Sequence, residues 1–136
     1  RVHQNGGKIF AQLWHTGRVS HAFFHGSQPI APSAIGIEGT VPRMRDLIYG
    51  EPRAMEKSDF EKVIADFGTA AENAKKAGFD GIEIHAANGY LIDQFLHFSA
   101  NSLFSGQGKS THIIPDTFVL WHSFTKLSAP NCKIIL

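Results

Sequence analysis

Three side chains suited to hydrogen-bond and proton chemistry fall within six residues: His85, Asn88 and Tyr90, in Ile84-His85-Ala86-Ala87-Asn88-Gly89-Tyr90. An imidazole and an amide can both donate to one oxygen, which stabilises negative charge developing on a carbonyl. A phenol, neutral near pH 7 with an ordinary pKa of about 10, can hand over a proton. The same residues also have plainer uses: His85 can cap backbone, Asn88 can make the turn before Gly89, and Tyr90 can pack. A second group sits upstream in Lys8-Ile9-Phe10-Ala11-Gln12-Leu13-Trp14, where Gln12 offers an amide and Trp14 a large flat apolar wall. A glutamine inside such a run must find a hydrogen-bond partner, either neighbouring backbone or a polar ligand.

Both groups need elements to position them. The run around Gln12 is short, nearly all apolar and follows Gly6-Gly7, as expected of a strand buried on both faces of a parallel sheet. Alternation puts Phe10, Gln12 and Trp14 on one face and Ile9, Ala11 and Leu13 on the other. Residues 58–77 predict an amphipathic helix. Ser58 with Glu61 forms a capping box, and Asp59 lies in the first turn. Phe60, Val63, Ile64, Phe67, Ala71 and Ala74 make one apolar face, Lys75 and Lys76 close the last turn, and Gly78 stops it. A strand over 81–85 follows, with Ile82 and Ile84 on one side and Glu83 and His85 on the other. If the two strands are neighbours in one sheet, Gln12, Trp14 and His85 share a crevice suited to a planar heteroaromatic ligand. Leu91, Ile92, Phe95 and Leu96 then fall at helical spacing.

Strand, long connection, helix, strand and short helix is the order of a β/α barrel or a doubly wound sheet. Two β/α units cannot close an eight-stranded barrel, so the expected fold is α/β: a piece of such a barrel, or a smaller α/β domain. The connection over residues 15–57 holds Pro29, Pro32, Pro42 and Pro52 and several glycines. It has the length of a functional lid or binding loop, with short hairpins expected around 29–34 and 36–41. Residues 1–7 read as a helix end running into a glycine stop, and the chain is expected to begin within a domain. Beyond residue 98 small polar residues thicken and the β/α pattern stops, apart from a weak helix signal over 118–124.

Composition narrows the function. The 136 residues are 43% hydrophobic with a net charge of +1 and eleven phenylalanines, which describes a globular domain with a well-filled core. No basic stripe points to nucleic acid, and no run approaches the roughly 18 apolar residues of a membrane span. The single Cys132 fits a reducing compartment, so a cytoplasmic setting is expected. Eight histidines raise a metal-dependent hydrolase. His21 and His25 would share a face of a helix, but the surrounding prolines and glycines argue against a helix there and no carboxylate partner is evident, so no metal site is expected.

Three motifs in order, Gly7-Lys8-Ile9-Phe10-Ala11-Gln12-Leu13-Trp14-His15-Thr16-Gly17-Arg18, Pro29-Ile30-Ala31-Pro32-Ser33-Ala34 and Ala77-Gly78-Phe79-Asp80-Gly81-Ile82-Glu83-Ile84-His85-Ala86-Ala87-Asn88-Gly89-Tyr90-Leu91-Ile92-Asp93-Gln94-Phe95-Leu96, resemble the old yellow enzyme family, in particular its N-ethylmaleimide reductase and oxophytodienoate reductase branch. The resemblance implies the third and fourth β/α units of an eight-stranded, FMN-binding TIM barrel. Residues 1–101 would be a partial FMN-binding segment and 102–136 a tail foreign to the family.

It further implies an NADPH- (or NADH-) dependent flavoprotein that reduces the C=C bond of α,β-unsaturated carbonyl compounds. Gln12 and His85 would contact the flavin; His85, Asn88 and Trp14 would bind the substrate; Tyr90 would donate the proton. His15, Arg18 and His21 would be structural. Ala86 departs from the family's usual glycine, and after Asn101 the family's Arg-Thr-Asp-x-Tyr-Gly-Gly segment is replaced by Ser102-Leu103-Phe104-Ser105-Gly106. The first two strands and the last four β/α units are missing. The competing expectation is therefore a non-catalytic remnant that self-associates through exposed barrel edges.

Overall fold

Every described secondary element lies within residues 1–96 except one strand, Lys133–Ile135; the computed structural model describes these residues. In chain order the elements are β1 (Phe10–Leu13), α1 (Ala22–His25), β2 (Ile30–Ala31), β3 (Thr40–Val41) and β4 (Met44–Ile48). They continue with β5 (Arg53–Ala54), α2 (Lys57–Lys76), β6 (Gly81–Ile84), α3 (Leu91–Leu96) and β7 (Lys133–Ile135). A short 3₁₀ turn, His3–Asn5, precedes them and stops at Gly6 in the left-handed conformation, as the glycine pair predicted.

The elements divide into two units. A strand unit holds Arg1–Trp14, Lys57–His85 and β7; a loop unit holds His15–Glu56 and residues 86–96.

The strand unit is a three-stranded sheet in the order β1-β6-β7, with α2 on one face. β1 and β6 run parallel, with Gln12 opposite Glu83 and Leu13 opposite Ile84. Ile82 and Ile84 are fully buried, and Val63, Phe67, Ala71 and Ala74 of α2 are buried. Each such large apolar side chain contributes about 1.5–3 kcal/mol relative to exposure, so this layer is the unit's main source of stability.

The helix starts at Lys57, which places Ser58 inside the first turn instead of at the predicted cap. Its end follows the glycine signal. The Gly78 amide donates to the Lys75 carbonyl and the Phe79 amide to the Ala74 carbonyl, with Gly78 at φ 86°. This paired closure needs a residue that tolerates the left-handed region.

Asp80 ties the start of the sheet together. Its carboxylate accepts from Lys8 Nζ (2.9 Å), the Ile9 amide (2.9 Å) and His3 Nε2 (2.8 Å), while its own amide donates to the Ile9 carbonyl. These donors, Lys8 foremost, hold the Asp80 carboxyl well below the usual carboxylate range.

One expectation for this unit fails. β1 is not buried on both faces: Gln12 and Trp14 are exposed, because a sheet of three strands with one helix covers only one of its faces. The C-terminal stretch adds a strand to the sheet. β7 pairs parallel with β6, with Gly81 opposite Lys133 and Ile82 opposite Ile134. The hydrogen-bonding groups on the free side of β6 accept any extended segment that reaches them, whether or not it continues the β/α pattern. The weak helix signal over 118–124 lies outside the described residues.

The loop unit is built from small pairings. β2 runs parallel to β5, and β3 pairs antiparallel with β4 across Pro42-Arg43, with Arg43 at φ 67°. The segment at 29–34 is thus half of a long-range pair and no hairpin, and in place of the hairpin expected at 36–41 one forms over Thr40–Ile48. Ala31, Pro32, Ser33, Val41 and Pro52 are buried, and so are Leu91, Ile92, Gln94 and Phe95 of α3. Leu96, expected on the packed face, is exposed.

Candidate functional site

The strand unit brings together three of the five predicted site residues. Parallel pairing continues past the strand ends, where the His85 amide donates to the Leu13 carbonyl. Residues opposite each other in a parallel pair point to the same side, so Trp14 meets His85: their rings stack with centroids 5.8 Å apart at 28°. Gln12 lies two residues before Trp14 on that face, beside Glu83. Its amide is exposed and has no hydrogen-bond partner among the described residues.

A half-exposed Trp at 52% and an amide with unused donors and acceptor, at the C-terminal ends of parallel strands, form a flat wall with a polar edge. Such a donor set fits one side of a flavin ring, which needs an apolar platform and amide-type partners for its ring nitrogens and carbonyls.

Asn88 and Tyr90 belong to the loop unit. Asn88 has φ 59° and Gly89 φ 77°, so both residues of the turn are left-handed, a region asparagine tolerates better than most side chains. The turn use of Asn88 is therefore real. Its side-chain amide is exposed and unpartnered among the described residues, which leaves it available to a ligand as well. Tyr90 is half-buried directly ahead of α3; its amide donates to the Ala87 carbonyl, and its carbonyl accepts from the Gln94 amide. The Asp93 carboxylate accepts from the Gly89 amide at 2.7 Å, which fastens the turn to the first turn of the helix.

Sequence reasoning missed Gln94, one of three buried polar residues of the chain alongside Arg18 and Ser33 among those described. Its Oε1 accepts from the Arg18 amide (3.2 Å), and its Nε2 donates to the carbonyls of Thr16 (3.2 Å) and Gly89 (2.6 Å). The available signal was a glutamine on the packed side of a helix that is otherwise apolar.

Arg18 donates from Nη1 to the Ile35 carbonyl at 2.7 Å, and burial lowers its pKa. His15 accepts from the Gly17 amide through Nδ1. Both are tied to loop backbone.

The histidine pair corrects one expectation: a single helical turn, α1, does form between His21 and His25. His21 stands just ahead of it and accepts from the Phe23 amide as its cap, so the turn forms despite the surrounding prolines and glycines. The His25 ring lies within 2.9 Å of Ser20 Oγ and 3.3 Å of Ser27 Oγ. Among the described residues no group of three His, Cys, Asp or Glu side chains is arranged to hold a metal ion, and no helix is long and apolar enough to cross a membrane.

An apolar wall with an amide edge at the C-terminal ends of parallel strands is the kind of arrangement on which α/β barrels build their sites. Residues 1–103 match the NADH:flavin oxidoreductase / NADH oxidase family. The chain is 42% identical over 110 residues to flavin oxidoreductase hxnT of Emericella nidulans, a match covering 80% of this chain and 28% of that protein. It is 43% identical over 102 residues to 12-oxophytodienoate reductase 1 of Oryza sativa subsp. japonica, covering 74% and 26%. The solved structure of the old yellow enzyme homologue from Zymomonas mobilis superposes with a TM-score of 0.75 at 38% identity, covering 92% of this chain and 35% of that one. The chain belongs to the NADH:flavin oxidoreductase / NADH oxidase family, of old yellow enzyme type, and is a fragment of its TIM-barrel fold. It spans roughly a quarter to a third of the length of these relatives.

Proposed function

We propose that this chain carries the carbonyl-gripping and proton-donating part of an ene-reductase site, which reduces the C=C bond of α,β-unsaturated carbonyl compounds with electrons from NADPH or NADH. The observation that carries the reading is the Trp14–His85 stack with the unpartnered Gln12 amide on the same face. Membership of the family supports FMN as the cofactor, with Gln12 and His85 as its contacts. When bound, FMN supplies the hydride.

The chain's own residues do the rest. His85 and Asn88 donate hydrogen bonds to the carbonyl oxygen and stabilise the charge it gains, and the Trp14 ring walls the substrate. The Tyr90 phenol gives its proton to the α-carbon as a general acid. In this reading β1 with α2 and β6 with α3 are the third and fourth β/α units of the barrel, and residues 102–136 are a tail outside the family pattern. Enones are the proposed partners, self-association through the free edges of the sheet is expected, and the lone Cys132 favours a cytoplasmic setting.

The test is uptake of FMN by the purified chain, followed by the two half-reactions. Tyr90→Phe should slow oxidation by cyclohexenone by roughly 10²-fold or more, the usual scale of a lost general acid, while reduction by NADPH is almost untouched. Equal loss in both halves refutes the proton-donor role. A chain that takes up no FMN is the non-catalytic remnant.

A further inference from the structure

Gln94 is only 2% exposed, and its amide is spent on the backbone of two separate loops. One is Thr16–Arg18, just beyond β1. The other is Gly89, the residue between Asn88 and Tyr90. The Leu91 amide adds a further tie to the same first loop, donating to the His15 carbonyl at 3.0 Å. A methionine or leucine would fill the space of this side chain equally well but would break all three hydrogen bonds, so volume alone does not account for the residue.

Gly17 is shaped to the same contact. It sits at φ 61°, and a Cβ there would come within 2.2 Å of Gln94 Oε1. The loop is thus cut back to backbone at the one point where the amide passes.

We propose that Gln94 is the positioning residue of the Asn88–Tyr90 turn: by joining the Gly89 carbonyl to the Thr16–Arg18 loop, it sets where the amide and the phenol stand. The inference rests on the reading of Asn88 and Tyr90 as substrate-facing. The turn needs such a restraint because two successive left-handed residues are not held in place by their own backbone preference.

The test uses the full chain and follows the rings of its two tyrosines, Tyr49 and Tyr90, by NMR after isotope labelling. In Gln94→Met the Tyr90 ring should shift and broaden while Tyr49 stays put as the internal control of folding. In the FMN-loaded chain, affinity for cyclohexenone should fall about tenfold, as expected for the loss of one or two hydrogen bonds, with FMN affinity unchanged. Should Gln94→Met fail to fold, the cycle of Gly17→Ala with Gln94→Ala decides. The added methyl displaces the amide only when the amide is there, so Gly17→Ala should move the Tyr90 ring far more in the wild-type background than beside Ala at 94.

Equal shifts in both backgrounds overturn the proposal. So does a Tyr90 ring that is unmoved in Gln94→Met, or one that moves with no change in a measurable cyclohexenone affinity. If the wild-type chain binds no cyclohexenone, the ene-reductase reading fails, and the Tyr90 ring alone then decides the positioning claim.

Discussion

The strand unit and the loop unit solve the same problem with different chemistry. In the strand unit, α2 lays Val63, Phe67, Ala71 and Ala74 over a sheet that buries Ile82 and Ile84, and the Asp80 carboxylate ties the sheet's beginning together. In the loop unit the strands are two to five residues long, and its interior includes Arg18, Ser33 and Gln94. Apolar burial is non-directional and tolerates local rearrangement, whereas a buried amide must meet particular backbone groups or cost free energy. The first unit therefore draws its stability from area, and the second draws its shape from directed hydrogen bonds.

The largest expected effect tests the first half of that contrast. Phe67→Ala removes the largest buried side chain of α2 and should cost about 3–5 kcal/mol, seen as a lowered urea midpoint and lost protection of the β6 amides. A cost below about 1 kcal/mol would mean that the α2 layer does not hold the unit together.

Gly17→Ala probes the loop unit and should cost about 1–3 kcal/mol. The methyl meets the Gln94 amide, and the backbone there is left-handed. Amide exchange should rise at Arg18 and Leu91 and stay unchanged in β6. If β6 loosens equally, the two units do not answer separately to substitution.

The smallest effect concerns Asp80, at the beginning of the strand unit's sheet. Its carboxyl pKa is lowered in the folded state by Lys8, the Ile9 amide and His3, so the unfolded chain takes up its proton first as pH falls. The stabilisation is complete above the ordinary carboxylate range, near pH 4, and is lost as pH drops through and below it. Asp80→Asn should lower the melting temperature at pH 7 and flatten its decline between about pH 5 and 2, measured by thermal denaturation across that range. A variant with the same pH profile as wild type would show that the carboxylate carries no pH-dependent stability.

Periodicity made the strand unit readable. The 3.6-residue recurrence from Phe60 to Ala74, the glycine stop at Gly78 and the alternation through Ile82 and Ile84 each follow from local rules, and the helix, the strand and their packed faces emerge as those rules require. The same alternation aligned Gln12, Trp14 and His85, because opposite residues of a parallel pair share a side. The loop unit was far less legible. Nothing local marks Ile30–Ala31 as the partner of Arg53–Ala54, and Gln94 reads as a polar interruption of an apolar helix until the carbonyls of Thr16 and Gly89 are seen to converge on it. The one-turn helix after His21 escaped for the opposite reason: flanking glycines suggested a loop, but a short turn needs only a cap and a stop.

The amino-acid sequence by itself determined the β/α order, the α2 face, the left-handed stops and the residue types gathered at 85–90, since all of these depend on neighbours a few positions apart. Tertiary structure alone decided which side of β1 stays open, that a segment as distant as Lys133–Ile135 pairs with β6, and that Gln94 joins the loop after β1 to the Asn88–Tyr90 turn. Those outcomes depend on unsatisfied edges and directed donors meeting across dozens of residues, and a local pattern carries no record of such meetings.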